Sequence, residues 1–403
     1  MQIDLSSLLL TAFIAVLAPL LCELPLSLKL PMVVLELGLG ILIGPQVLAW
    51  AKPGAFLNLL GFLGLIFLFF LAGMELDLRA VRGAPLAKAS KGWLLSLAVA
   101  FAGSGVLHHV GFIRNWLLVA AILTTTTLGT LLPILRDSGD LETKFGSYVM
   151  AAAITGELGP IILVSVLFSR HHTELAQTLF MVTFVGIALG AAALALLHSP
   201  PLLVGLVART MDAASQLPVR IAILVLMMLV ALATRFGLDM ILGAFASGMV
   251  VGLGSRGQQG HSLRHKLDAI GFGFLIPIFF VTSGMQFDLH ALFDSPKAML
   301  RLPAFLLLFL VVRGAPVIFY RGVLHRRERT ALALYSATTL PLVIALTHLG
   351  VQTGQMFTDN AAALVGAGML STLMFPVVAM SIRGSVLAEE VAAEEAERYD
   401  RAS

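Results

Sequence analysis

Apolar runs of about 20 residues, separated by short polar connections, recur from one end of the chain to the other, and this feature excludes most folds. A helix needs about 20 residues at 1.5 Å each to cross a hydrocarbon core of roughly 30 Å. The runs fall near 5–25, 31–50, 56–76, 92–111, 116–135, 146–168, 175–197, 219–235, 239–254, 269–286, 302–320, 330–349 and 359–381, which predicts thirteen transmembrane helices. Only 12% of the 403 residues are charged and 58% are hydrophobic, too little charge to coat a soluble protein of this size. The expected fold class is therefore an all-α polytopic membrane protein with the lipid bilayer as its surroundings.

The net charge of +3 would suit an acidic partner, but the basic residues sit in the short connections, so topology accounts for them and no nucleic acid is expected. Of the 26 Lys and Arg, 19 fall in one set of alternate connections and the tail and six in the other, with Arg220 and Arg235, at the ends of the 219–235 run, counted with the connections they adjoin, and Arg313 lies inside a span. That bias predicts a multi-pass cell-membrane protein with its N-terminus outside and its C-terminus cytoplasmic. The opening MQID lacks a basic signal-peptide region, so the first run reads as a span. Cys22 is the sole cysteine, which leaves no disulfide framework and no thiolate metal cluster.

The chain also repeats itself. FFLAGMELDL (69–78) resembles FFVTSGMQFDL (279–289), matching Gly73, Met74 and Asp77 to Gly284, Met285 and Asp288 at an offset of 211. Thr126-Thr127-Leu128 matches Thr338-Thr339-Leu340 at an offset of 212. Matching spans are seven apart, an odd number, so the halves must cross the membrane in opposite directions as an inverted-topology repeat. The predicted organisation is one transmembrane domain over 1–383, with repeat one about 5–168, a linking span about 175–197 and repeat two about 219–381, followed by a short acidic tail, 384–403.

Two charges lie deep inside spans, where each costs about 2.5–3.5 kcal/mol to insert. Glu157, in AAAITGELGPIIL, is near the middle of its span. Pro160 has no N–H, so the carbonyl of Gly156 loses its helical partner beside the carboxylate. A carboxylate and a free carbonyl are oxygen ligands suited to a small cation. Arg313 lies about 10 Å from the cytoplasmic end of its span and Glu157 about 16 Å from the same face, so the two can pair if their helices touch. The alternatives are a purely structural ion pair for Glu157 and an inward-snorkelling side chain for Arg313.

Features that interrupt helices cluster in two spans that are repeat mates. TTTTLGTLLP (124–133) combines Thr126 and Thr127 with Gly129 and Pro133, and SATTLPLV (336–343) sets Pro341 just after Thr338 and Thr339. Non-helical backbone at membrane depth must be buried in protein or line a cavity, so this pair predicts a midplane binding site. A threonine-rich packing face with proline kinks is the plainer alternative. Gly40, Gly44, Gly248 and Gly252 follow small-xxx-small spacing and predict close helix packing, while Asp239 and Asp359 read as helix N-terminal acids. Neither an HExxH motif nor a paired acidic motif suggests an enzyme.

Taken in order, LELGLGILIGPQVL (35–48), FLAGMELDL ending at Leu78, TTTTLGTLLPIL, TGELGPI and Arg313-Gly314 resemble the monovalent cation/proton antiporter superfamily. The branch is that of bacterial sodium/proton exchangers and the membrane domains of glutathione-gated potassium efflux systems, and the resemblance spans roughly 5–383. It implies thirteen spans, a homodimer built on a dimerisation domain, and a mobile core domain in which two interrupted spans cross beside a carboxylate. It implies exchange of Na+ or K+ for H+ without a cofactor, with Glu157 as the cation- and proton-binding acid and Arg313 as the basic residue that interacts with the acid-bearing helix. Gly156-Glu157 stands where the family usually has aspartate preceded by Asp, Asn or Gln; the missing second acid points to electroneutral exchange. Competing readings are a proton-coupled carrier in which Arg313 pairs with an anionic solute, and a non-transporting membrane sensor.

Overall fold

The computed structural model describes residues 4–23, 31–75, 83–167, 215–255, 257–293 and 296–402, with a few positions between 183 and 190. Within these residues all regular structure is helical. In chain order the first helices are α1 (Leu5–Glu23), α2 (Met32–Ile43), α3 (Ala55–Glu75), α4 (Ala84–His109), α5 (Trp116–Leu123), α6 (Leu128–Asp137) and α7 (Lys144–Leu167). Next come α8 (Leu217–Arg235), α9 (Met240–Gly254), α10 (Gly257–Ile270), α11 (Ile276–Met285) and the short α12 (Leu289–Phe293). The last four are α13 (Pro296–Gly314), α14 (Arg326–Ser336), α15 (Pro341–Gln352) and α16 (Thr358–Ala402).

Among the described residues nine helical stretches are long and apolar enough to cross a membrane, and three shorter apolar ones join them: Met32–Ile43, Trp116–Leu132 and Met240–Gly254. The protein is thus an all-helical, multi-pass membrane protein. The span expected over 175–197 lies largely outside the described residues, as does Asp77. The acidic tail continues α16 as helix to Ala402.

The chain forms two compact units, Met1–Asp77 with Ile161–Phe287, and Leu78–Pro160 with Asp288–Ser403. Their boundaries do not follow the sequence halves: each unit takes one segment from each half. In the first unit, α3 packs on α9 and α2 on α11. These seams are close because lipid tails are as apolar as leucine, so helices gain by backbone approach rather than by hiding oil from water. A Cβ on Gly248 would lie 1.9 Å from the Phe70 carbonyl oxygen, and one on Gly73 2.1 Å from that of Phe245. The close packing expected at Gly248 and Gly252 is present, since a Cβ on Gly252 would also fall 2.9 Å from the Met74 oxygen.

Gly248→Ala must therefore push α9 off α3. The expected cost is about 1–3 kcal/mol, the scale of overpacking. Thermal unfolding in detergent should show it as a lowered midpoint, and an unchanged midpoint would contradict the seam.

In the second unit α16 packs against α13, α14 and α15. Arg383 on α16 donates from Nε to Asp140 Oδ1 at 3.0 Å, in the turn after α6, and from Nη1 to Glu328 Oε1 at 3.2 Å, in the first turn of α14. All three side chains are buried. Two acids and one base tie α16 to α14 and to the α6–α7 turn. The expected helix-start acids are also present: Asp239 caps α9 by accepting from Ile241 N at 2.8 Å, and Asp359 lies in the first turn of α16.

Candidate functional site

The two threonine-rich spans are both broken, and both breaks lie in the second unit. The first runs through 124–127, between α5 and α6, and Thr127 is extended at φ −103, ψ 107. Its cause is local. Thr124 and Thr125 fold their hydroxyls back onto Ala121 O (2.8 Å) and Ile122 O (2.7 Å), taking up carbonyls at the end of α5. Of the residues read as interrupting this span, the four threonines lie at the break, and Gly129 and Pro133 do not. Both lie inside α6, downstream of the break. The second break, at 337–340, falls where sequence placed it, with Pro341 opening α15 at a position where a missing N–H costs nothing.

The broken segments satisfy each other. Thr127 N donates to Thr338 O at 3.0 Å, Leu340 N donates to Thr127 Oγ1 at 3.2 Å, and the hydroxyls of Thr125 and Thr339 meet at 2.7 Å. Segments aligned by the internal repeat thus face one another across a crossing of two non-helical strips. Every threonine from 124 to 127, together with Thr338 and Thr339, is buried. On α16, Ser371 accepts from Thr339 N at 3.2 Å and donates to Thr339 O at 3.0 Å.

Glu157 lies on α7 beside this crossing, 6% exposed. Its Oε2 accepts from Leu128 N, the first amide of α6, at 3.1 Å. Thr127 makes no side-chain cap there, so the carboxylate does the work of an N-cap from another helix. It sits where the unpaired amides and the helix dipole favour negative charge. Pro160 lies inside α7 as expected, and the Gly156 carbonyl that it frees accepts from Thr126 N at 2.9 Å. That carbonyl joins α7 to the broken span.

Arg313 ends α13 and is 3% exposed. It does not snorkel. Nε donates to Thr126 Oγ1 (2.9 Å) and Ser336 O (3.2 Å), Nη1 to Ser96 Oγ (3.4 Å) and Nη2 to Ala152 O (3.1 Å). Each of these acceptors is neutral. Among the described residues no ion pair within 4.0 Å joins Arg313 to Glu157, so the direct pairing that their depths allowed is not made. Thr126 Oγ1 also donates to Ser336 O at 2.5 Å, which makes this hydroxyl a bridge between α13 and the second broken span.

Gly156 leaves room for the guanidinium of Arg313. A Cβ there would lie 2.4 Å from Arg313 Nη2 and 2.6 Å from Thr126 Oγ1. The guanidinium passes over Gly156, next to the acid, in the space that a side chain would need. Sequence reasoning missed Ser96, Ser336 and Ser371, since a lone serine in an apolar helix carries no motif. Only Ser336, at the start of SATTLPLV, had a sequence signal.

The profile of the transmembrane sodium/hydrogen exchanger family matches residues 10–380. A Bacillus subtilis relative is 29% identical over 391 residues, covering 93% of this chain; the chain spans 62% of that relative's length. A Bacillus cereus Na(+)/H(+)-K(+) antiporter is 25% identical over 368 residues, 88% of this chain and 90% of that protein. Among solved structures, the sodium proton antiporter of Methanocaldococcus jannaschii superposes with a TM-score of 0.65 at 16% identity, covering 95% of this chain and 98% of that one, which is a likeness of fold.

Proposed function

The chain belongs to the sodium/hydrogen exchanger family, and from that premise we propose that it exchanges a monovalent cation for protons at Glu157. The observation that carries this reading is the buried carboxylate at the N-terminus of α6, beside the crossing of two broken helices. A single carboxylate there holds either a proton or a cation. Both occupants neutralise the same charge, so one replaces the other.

The chain's own residues supply the rest. Leu128 N–H orients the carboxylate by bonding Oε2, and Thr127 remains at the break beside it. Arg313 fixes the second broken span to the first through Thr126 and Ser336. Pro341 opens the second half-helix that starts there. Names of relatives carry both sodium and potassium, so either ion is a candidate cargo.

One acid serving both ions makes the exchange electroneutral, one for one, by alternating access across the plasma membrane. The charge bias of the connections supports an external N-terminus and a cytoplasmic C-terminus. The family resemblance supports a homodimer with the Glu157 unit as the mobile part. The solute-carrier alternative loses support because each nitrogen of Arg313 already has a protein acceptor.

Reconstituted in liposomes loaded with a pH-sensitive dye, the protein should move protons when sodium or potassium is added to one side. An imposed membrane voltage should leave that rate unchanged. Proton movement that ignores both cations would sink the exchange reading, and a rate that tracks voltage would sink the one-for-one stoichiometry.

A further inference from the structure

We propose that the outward seam between α4 and α13 binds an anionic phospholipid, with an acyl chain along two apolar rows and the headgroup among Lys88, Lys91 and Arg321. All of these residues belong to the second compact unit. The site stands apart from exchange at Glu157.

Two antiparallel helices build the seam. A Cβ on Gly92 would lie 3.0 Å from Pro316 Cβ, Ser96 Oγ donates to Val312 O at 2.8 Å, and a Cβ on Gly103 would lie 3.4 Å from Leu308 Cδ2. Residue numbers rise along α4 as they fall along its neighbour. This register sets the first turns of α4 beside the 3₁₀ helix Ala315–Tyr320, which continues α13.

The outward side chains follow one pattern on both elements. On α4, Lys91, Leu94, Ala98 and Ala102 are exposed among the described residues, at the three-and-four spacing of one helix face. On the other side Leu307, Val311 and Ile318 are exposed. Side chains three apart eclipse in a 3₁₀ helix, so Ile318 is in line with Arg321, the exposed residue that ends it. Each apolar row therefore ends in a cation, at the same end of the seam. About 25 Å of α4 separates Lys91 from His108, close to the thickness of a hydrocarbon core, which puts Lys91 at headgroup depth.

Lys88 joins the two ends. One turn before Lys91, it donates from Nζ to Phe319 O at 2.7 Å, and this draws the α4 ammonium across the seam toward the turn that carries Arg321. An ammonium has three N–H donors, so one such bond does not exhaust it. Membrane topology accounts for cations in these connections, but not for a lysine held against the neighbouring helix where two apolar rows end. A lipid phosphate accepts from lysine and arginine alike. Choline and ethanolamine headgroups bring an ammonium that three cations repel, so charge complementarity selects a lipid of net negative charge. A protein helix laid along the rows would cover the apolar part alone; a phospholipid supplies apolar length and anion in one molecule.

The full-length protein, stripped of lipid in a neutral detergent, provides the test. Phosphatidylglycerol should raise its thermal midpoint by several degrees more than the same amount of phosphatidylcholine, because a ligand of the folded state stabilises that state. The combined variant Lys88→Gln, Lys91→Gln, Arg321→Gln should lose this preference. Removing three exposed cations elsewhere, with Lys52→Gln, Arg136→Gln and Lys144→Gln, should leave it intact. Equal loss in both variants means diffuse charge and overturns the site, as does inorganic phosphate that reproduces the whole rise without an acyl chain.

A second measurement uses the wild type and holds even if the triple variant fails to fold. In phosphatidylcholine liposomes, a trace of phosphatidylglycerol with a photoactivated diazirine in its acyl chain should label α4 and α13 above the other spans. Phosphatidylcholine with the same diazirine should label the spans without that preference. Labelling by the anionic probe that is no greater at this seam, or the same preference from both probes, overturns the proposal.

Discussion

In Glu157→Gln, cation-dependent proton movement is expected to fall by about 100-fold or more, the scale for losing a positioned proton-transfer group. Glutamine has nearly the same volume, and its amide oxygen can still accept from Leu128 N, the 3.1 Å bond that caps α6. The half-helix should therefore keep its start, and the variant should fold. On the proposed exchange at Glu157, what disappears is the single charge that a proton and a cation would compete to neutralise. The variant resembles the protonated wild type in volume and in the bond from Leu128 N, but it cannot release a proton. Dye-reported flux in liposomes measures the loss, and a thermal midpoint within a few degrees of wild type shows that the fold survived. Retained flux would remove Glu157 from the mechanism and leave the crossing as a packing device.

The sequence exposed the large features through physics that acts along one helix. Span length, the buried acid and the effect of Pro160 on the Gly156 carbonyl all follow from spacing and a missing N–H, and the structure has each of them. The repeat placed Thr126 and Thr127 opposite Thr338 and Thr339 without saying that they touch. Their contact, Thr127 N to Thr338 O, is a property of the tertiary fold.

Where expectation and structure part, the deciding contact comes from another helix. The first break takes in the threonines of TTTTLGTLLP and leaves Gly129 and Pro133 inside α6, because threonine hydroxyls terminate α5 and amides from 126 and 127 find partners outside their own span. Arg313 and Glu157 had compatible depths, yet the guanidinium turns to Ser336, Thr126, Ser96 and Ala152. Depth along the membrane normal fixes one coordinate of three.

The second large effect is expected at Gly156, where the sequence suggested a lost ligand and the structure has a space already filled. Gly156→Ala places a methyl 2.4 Å from Arg313 Nη2, 2.6 Å from Thr126 Oγ1 and 2.8 Å from Thr126 Cβ. A long side chain usually swings aside at little cost, but this guanidinium is held by Ala152 O, Ser336 O and two hydroxyls, and Thr126 is fixed through the Gly156 carbonyl itself. Something in the crossing must move. The expected destabilisation is about 1–3 kcal/mol, with exchange falling roughly tenfold or more, since each 1.4 kcal/mol lost from the working geometry is a factor of ten. A double-mutant cycle separates the two clashes. In an Arg313→Met background the nitrogen is gone and only Thr126 obstructs the methyl, so Gly156→Ala should cost less there than in wild type. Equal costs in both backgrounds would mean that Gly156 makes room for Thr126 alone, and that the passage of the guanidinium over the acid-bearing helix has no bearing on why glycine precedes Glu157.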